Sequence, residues 1–229
     1  MITLPVAEVR RATPTSRLLR LTLDDVLDYQ PGQSCLIGLH GQPDRRHYSL
    51  ATPPEIAVRE GALEFLVRTE RDGTIGPHLD GLSRGSRIDV EGPVGSFTLP
   101  ARFSERRLLF VAGGTGIAPV RAMLLRAMRI EGLSIGLAYS ARTSREFAFL
   151  PELQRMRRRG LRLVLAASRE APDSWRHHRG RLNQARLAPL IEAPGTLCFV
   201  CGPPPLVEDV PRSLMNLGID EARIRTEIF

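Results

Sequence analysis

Two groups of residues in this chain have the types and spacing to do chemistry. The first is the turn Gly113-Gly114-Thr115-Gly116, continued by Ile117-Ala118-Pro119. An apolar run, Leu108 to Ala112, leads into it. Apolar residues mostly three or four apart (Ile117, Val120, Leu124, Leu125, Met128) lead out of it. Strand, glycine turn and helix in that order make one half of a nucleotide-binding unit. The glycines let the backbone come close to a pyrophosphate, and the helix N-terminus offers free N–H groups and a partial positive charge. The spacing Gly114-x-Gly116-x-x-Pro119 has Pro where the common fingerprint has its third Gly. A tight structural turn into a core helix fits the same residues. The second group is Arg46-His47-Tyr48-Ser49, followed by Leu50-Ala51-Thr52-Pro53. On a strand, Arg46 and Tyr48 project to one face and His47 and Ser49 to the other. An Arg beside an aromatic ring could hold a phosphate and a flat ring; an edge strand with ordinary surface residues is the alternative.

Other short stretches carry weaker signals. Val67-Arg68-Thr69 precedes Asp72-Gly73-Thr74-Ile75-Gly76-Pro77-His78-Leu79. A glycine loop running into a short helix could again present N–H groups to a phosphate, although Asp-Gly also marks a plain hairpin loop. Glu91-Gly92-Pro93-Val94-Gly95-Ser96-Phe97 closes the first half of the chain. In the second half, Ser140-Ala141-Arg142-Thr143-Ser144-Arg145, Ser168-Arg169 and Cys201-Gly202-Pro203-Pro204 each follow a strand-like run. A site for NAD usually has an acid at the second strand end, for the ribose 2′-hydroxyl. The nearest acid is Glu146, read as entering a helix. Arg142, Arg145 and Arg169, with Ser140 and Ser168, could instead meet a 2′-phosphate, or be solvated loop residues. The expected preference is NADPH over NADH.

The elements that must position these groups change character near residue 100. From Met1 to Pro100 the sequence reads as short strands, with alternation in Arg17 to Leu23 and Leu63 to Arg68. Turn signals recur at Pro31-Gly32, Gly41 to Asp44, Pro53-Pro54, Asp72-Gly73 and Gly92-Pro93. This predicts an antiparallel barrel or sandwich, with one short helix over Pro77 to Leu82. From Ala101 onward strands alternate with helical runs. Strands are expected over Ser134–Tyr139, Leu161–Ala166, Leu197–Val200 and Ile224–Ile228, and helices over Phe147–Arg159 and Pro205–Leu217. That alternation implies a doubly wound parallel sheet with ligands at the C-terminal ends of its strands.

Composition narrows the function classes. A chain of 229 residues, 42% hydrophobic, can hold one large domain or two small ones. No apolar run reaches about 18 residues, and the N-terminus lacks a charged-then-apolar leader. The expectation is a cytoplasmic protein without a membrane span. The three cysteines, Cys35, Cys198 and Cys201, are too few for a disulfide framework, a four-cysteine metal site or a plant-type iron–sulfur cluster. The net charge is +7, and the sequence contains no lysine, so all 32 basic residues are arginine. Arginine suits bidentate recognition of phosphate. No nucleic-acid motif or aromatic-interleaved basic patch is visible. A phosphate-rich cofactor or an acidic protein partner fits the charge better.

Taken in order, the motifs resemble the ferredoxin–NADP reductase family of flavoproteins. The likeness covers nearly the whole chain. It rests on Arg46-His47-Tyr48-Ser49, Gly92-Pro93-Val94-Gly95-Ser96-Phe97, Gly113-Gly114-Thr115-Gly116-Ile117-Ala118-Pro119, Cys201-Gly202-Pro203-Pro204 and the terminal Glu227-Ile228-Phe229. Each is weak alone, and the five in this order are specific. The resemblance implies a flavin-binding antiparallel β-barrel over residues 1–100 and an NAD(P)-binding α/β domain over 101–229.

The resemblance also implies roles. Arg46 binds the flavin-side phosphate, Tyr48 packs on the isoalloxazine ring with His47 beside it in the motif, and Ser49 hydrogen-bonds near flavin N5. Val67, Arg68, Gly73, Thr74 and Gly76 continue the flavin phosphate site. Gly113, Gly114, Thr115, Gly116 and Pro119 cradle the nicotinamide cofactor's pyrophosphate. Thr115 and Cys201, with Gly202 and Pro203, sit by the nicotinamide, and Glu227 and Phe229 near the flavin's reactive edge. The implied activity moves a hydride from NAD(P)H to FAD and then electrons to a separate, acidic acceptor such as a ferredoxin or an oxygenase component. It needs placement rather than an acid/base pair. Cys201 then reads as a positioning residue, or as a buried small thiol. One departure is Gly76, where the family often has Ser or Thr to help hold a diphosphate; it leaves FMN open beside FAD. Two other activities are open: a free-flavin reductase and a non-catalytic electron-transfer subunit.

Overall fold

The computed structural model describes residues 1–69, 76–79 and 81–229, the side chain of Pro77 excepted. The chain folds as two units. One comprises residues 1–100 with 121–126, the other residues 101–120 with 127–229.

The first unit is built on six antiparallel strands: β1 (Ile2–Thr13), β2 (Ser16–Thr22), β3 (Ser34–Leu39), β4 (Arg46–Ser49), β5 (Ala62–Arg68) and β6 (Arg87–Val94). Helix α1 (Pro54–Glu60) lies between β4 and β5. It starts on Pro54 at its first turn and stops on Gly61 in the left-handed region. The strand order is β4-β3-β6-β1-β2-β5. The outer strands meet through a bridge between Leu50 and Phe65 and a hydrogen bond from Ala51 N–H to the Glu64 carbonyl. That closes the sheet into a barrel. Its core holds Leu19, Leu21, Ile37, Leu63, Phe65, Val67 and Ile88, all inaccessible to solvent. Within this unit the Arg121 guanidinium donates to the Ala51 carbonyl at 2.8 Å and to Glu64 Oε2 at 2.9 Å. Glu64 and Arg121 are both buried, so each needs the other to offset its desolvation.

The second unit has a six-stranded parallel sheet. Its elements are β7 (Arg107–Gly113), the start of α2 (Ile117–Ala127, of which residues 121–126 group with the first unit), β8 (Ser134–Thr143), α3 (Leu150–Arg157), β9 (Arg162–Glu170), β10 (His178–Arg179), α4 (Gln184–Leu187), β11 (Leu197–Gly202), α5 (Pro204–Asn216) and β12 (Ile224–Ile228). The order β10-β9-β8-β7-β11-β12 places β8 and β11 on opposite sides of β7. The winding therefore reverses at β7, and the C-terminal ends of β7 and β11 flank the switch point where ligands enter such sheets. β7 is buried from Leu108 to Gly113, as a central parallel strand covered on both faces must be.

Several elements differ from their sequence expectation. β8 continues to Thr143 and β9 to Glu170, so Ser140, Arg142, Ser168 and Arg169 are strand residues. α3 begins at Leu150 rather than Phe147, after Phe149 adopts φ 60°. A 3-10 turn over Pro77–Leu79 stands in place of a helix reaching Leu82. Among the described residues no helix is long and apolar enough to cross a membrane.

Candidate functional site

In the second unit the glycine turn is a single 3-10 turn, Gly114–Gly116, running into α2. Its glycines serve different ends. A Cβ on Gly113 would lie 2.9 Å from Pro203 Cδ and 2.9 Å from Leu206 Cδ1. On Gly116 it would lie 2.5 Å from the Cys201 carbonyl oxygen and 2.7 Å from Phe229 Cε1. On Gly202 it would press at 3.2 Å on Gly113 backbone. These three glycines let the ends of β7 and β11 pack backbone to backbone. Gly114 is different: it is exposed, has φ +57°, and a Cβ there would meet nothing within 4 Å. Open space over a left-handed residue at a helix N-terminus is a cradle for an anionic group. Thr115 is half-buried beside it, and Pro119 is buried in α2.

Cys201, next to last in β11, has no solvent exposure and pairs with Glu227 of β12. Its thiol donates to Glu227 Oε2 at 3.7 Å. Burial, and then the neighbouring carboxylate, push the Cys201 pKa far above the ordinary thiol range. Burial also raises that of Glu227. The sulfur is thus a neutral hydrogen-bond donor, not a thiolate. The Phe229 N–H reaches the Gly202 carbonyl at 3.4 Å, and its ring lies against Gly116.

The strand-end residues divide. Ser140 is buried and pairs with Gly113 across the sheet. Arg142, Arg145 and Arg169 are exposed and Ser168 half-buried. Glu146 does not enter a helix; its carboxylate turns back to accept the Thr143 N–H at 3.1 Å.

In the first unit Arg46 and His47 are exposed on β4, while Tyr48 and Ser49 are half-buried. The Tyr48 hydroxyl and His78 Nε2 are 2.8 Å apart, and their rings stack at 5.7 Å with 13° between planes. A Cβ on Gly76 would lie 3.2 Å from His78 Nδ1 and 3.3 Å from Arg46 Nη1. Arg46, Tyr48, Gly76 and His78 therefore form one cluster, and Gly76 lacks a side chain where His78 and Arg46 already crowd. Arg68 is exposed at the end of β5, whereas Val67 points into the barrel core with no exposure. Gly73 and Thr74 lie outside the described residues.

Residues 3–99 match the oxidoreductase FAD-binding domain family, and residues 110–212 match the oxidoreductase NAD-binding domain family. The chain belongs to the ferredoxin–NADP reductase-like family of flavoproteins. It is 29% identical to the ferredoxin–NAD(P)(+) reductase CarAd of Metapseudomonas resinovorans, over 98% of this chain and 68% of that protein. It is 29% identical to the toluate 1,2-dioxygenase electron transfer component of Pseudomonas putida, over 89% of this chain and 59% of the relative. Among solved structures it resembles the Amycolatopsis cytochrome P450 reductase GcoB at a TM-score of 0.87 and 28% identity, covering 99% of this chain and 69% of that one. The chain spans about half to two thirds of the length of the curated relatives it matches.

Within this ferredoxin–NADP reductase-like frame the residues present fit both cofactors. Gly114 leaves open backbone for a pyrophosphate, and Arg46 brings a guanidinium beside Gly76 for a flavin-side phosphate. Sequence reasoning gave no role to His78, Tyr139, Phe147 or Trp175. His78 follows Gly76-Pro77 in the sequence, and nothing in that spacing signals its partner Tyr48. Tyr139 was read as the last residue of an apolar strand.

Proposed function

We propose that this chain is an NAD(P)H-dependent flavoprotein reductase that passes electrons to a separate acceptor, such as a ferredoxin or an oxygenase component. The observation that carries the proposal is the switch-point turn, where Gly114 alone among its glycines opens to solvent while Gly116 packs on the buried Cys201, whose thiol meets the half-buried Glu227. Bound FAD supplies the change from two-electron to one-electron chemistry. The protein's share is placement. Arg46, Tyr48, Ser49, Arg68, Gly73, Thr74 and Gly76 hold the flavin, with Tyr48 fixed by His78. Gly113 to Gly116, Pro119, Ser140, Arg142, Arg145, Ser168, Arg169, Gly202 and Pro203 receive the nicotinamide nucleotide. Cys201 and Glu227 present a neutral thiol and a carboxyl to the nicotinamide, with Phe229 against Gly116 in the same unit. Names of relatives such as CarAd and the toluate dioxygenase component support an iron–sulfur or oxygenase acceptor.

The net charge of +7 favours an acidic acceptor, and that attraction weakens with salt. The three cysteines are free and buried, which suits the reducing cytoplasm. The test is the absorbance spectrum of the purified chain, release and identification of its flavin, and steady-state oxidation of NADPH and NADH with ferricyanide and with a plant-type ferredoxin. Bound FAD and turnover are expected. A chain that neither retains nor rebinds FAD, or that holds it without oxidising either nucleotide, overturns the proposal. Rapid loss of flavin on desalting with turnover of added free flavin would identify a free-flavin reductase instead.

A further inference from the structure

Among the described residues Tyr139 is the largest fully buried side chain, and it ends in a hydroxyl. That hydroxyl lies between two loops of the second unit. It donates to the Gly114 carbonyl at 3.1 Å and accepts the Ala148 N–H at 3.2 Å. Burial pushes its pKa well up, so it stays a donor at all working pH values.

The consequence follows from peptide geometry. The Gly114 carbonyl and the Thr115 N–H belong to one planar trans peptide and point in opposite directions. The carbonyl accepts from Ile117 N–H at the start of α2 and from Tyr139 in the core. With the oxygen held inward, the Thr115 N–H is turned outward, to the side where Gly114 leaves open space. Glycine at φ +57° would otherwise rotate this peptide at little cost.

The other half of the contact reaches the second strand end. Ala148 belongs to the segment between Thr143 and α3, which also carries Arg145 and Glu146. Its N–H is committed to Tyr139, and the Phe147 ring packs edge-on against Tyr139 at 5.0 Å and 88°. Trp175, beyond β9, stacks on Phe147 at 5.2 Å and 17°. One buried phenol and one buried ring thus join the loops that follow β7, β8 and β9.

We infer that Tyr139 is a positioning residue for the nicotinamide nucleotide: its hydroxyl holds the glycine turn and the Thr143–Phe149 loop in their nucleotide-receiving arrangement before the ligand arrives. This rests on the reading of the turn as the nucleotide site. Preorganisation of this kind acts on affinity, because the ordering cost is met during folding rather than on binding.

Tyr139→Phe removes the oxygen and keeps the ring. The flavin-loaded protein is titrated with NADP+ and NAD+, and KM and kcat for NADPH and NADH are measured with ferricyanide, below the unfolding temperature of every variant. The expected result is a rise of five- to tenfold in Kd and KM, kcat within twofold, and an unchanged flavin spectrum. Phe110→Leu, a core change in β7 whose ring stacks on Phe199 rather than on Tyr139, is the control: it lowers Tm and leaves KM unaltered. Phe147→Leu keeps the hydroxyl but loosens the same loop, and raises KM two- to threefold; it carries the test alone if Tyr139→Phe does not fold. Unchanged KM in Tyr139→Phe overturns the inference, as does an equal rise in Phe110→Leu. Wild-type protein that binds neither nucleotide overturns the proposed function itself, and this inference with it.

Discussion

The Tyr48 hydroxyl sits 2.8 Å from Nε2 of His78, a residue 30 positions later and almost wholly buried. The half-buried Tyr48 is thereby held in one orientation by a partner that solvent does not reach. A planar ligand that must lie against Tyr48 finds its platform already set. Replacing His78 with Leu removes the hydrogen bond, worth about 0.5–1.5 kcal/mol, and frees the phenol. FAD affinity is expected to fall roughly two- to tenfold, with His78→Asn less affected than His78→Leu. Recovery of flavin fluorescence on dilution measures it; equal retention by wild type and His78→Leu would refute a role for this pair.

The glycine turn makes a paired prediction. Gly116→Ala drives a methyl to 2.5 Å of the Cys201 carbonyl, so either the turn or β11 must move. Overpacking of this kind costs about 1–3 kcal/mol, and Tm falls. Gly114→Ala meets no atom, and its cost is the left-handed backbone, roughly 1–2 kcal/mol. Its methyl projects into the open space that the nucleotide is proposed to use. Gly114→Ala therefore raises KM for NAD(P)H several-fold more than its loss of Tm accounts for. A wild-type KM in Gly114→Ala would be evidence against a ligand at Gly114.

Parts of this molecule were legible in the sequence because their cause is local. β7 was readable because a strand buried on both faces is continuously apolar, and the turn after it because only glycine tolerates those approaches. β8 and β9 were read short because Ser140, Arg142, Ser168 and Arg169 are polar. A parallel ladder is carried by backbone groups, however, and Ser140 pairs with Gly113 and with Ala166 whatever its side chain. The start of α3 was read early because apolar spacing cannot show that Ala148 N–H is already bound to Tyr139. His78 was invisible for a similar reason: its partner Tyr48 comes from another strand, and no periodicity links them.

Asp89 gives the barrel a pH signature. Its carboxylate accepts from His40 Nδ1 at 2.8 Å, from Thr3 Oγ1 at 2.8 Å and from Arg45 Nη2 at 3.1 Å. The His40 hydrogen bond, then that of Thr3 and, more weakly, Arg45, hold its pKa far below the ordinary carboxylate value; burial opposes them. A folded pKa below the unfolded one adds stability that is complete above about pH 5 and is lost as pH falls through about 4 and below. Wild type should therefore lose more unfolding free energy than Asp89→Asn between pH 6 and pH 3, as read from urea titrations at each pH. Parallel losses would show that Asp89 does not titrate as its contacts require.

The nucleotide preference is the sharpest test of the strand-end arginines. Arg142 and Arg145 are exposed at the end of β8 and just beyond it, where the adenosine end of a dinucleotide lies in sheets of this winding. Glu146, the one acid in that loop, is spent on the Thr143 N–H. A carboxylate so engaged is a poor partner for a ribose 2′-hydroxyl, while a free guanidinium suits a 2′-phosphate. NADPH is expected to have the higher kcat/KM. Arg142→Ala is expected to lower kcat/KM for NADPH about tenfold and for NADH less than twofold, through KM. If NADH is the better donor and Arg142→Ala affects both alike, the arginines serve the solvated surface and specificity is set elsewhere in the loop.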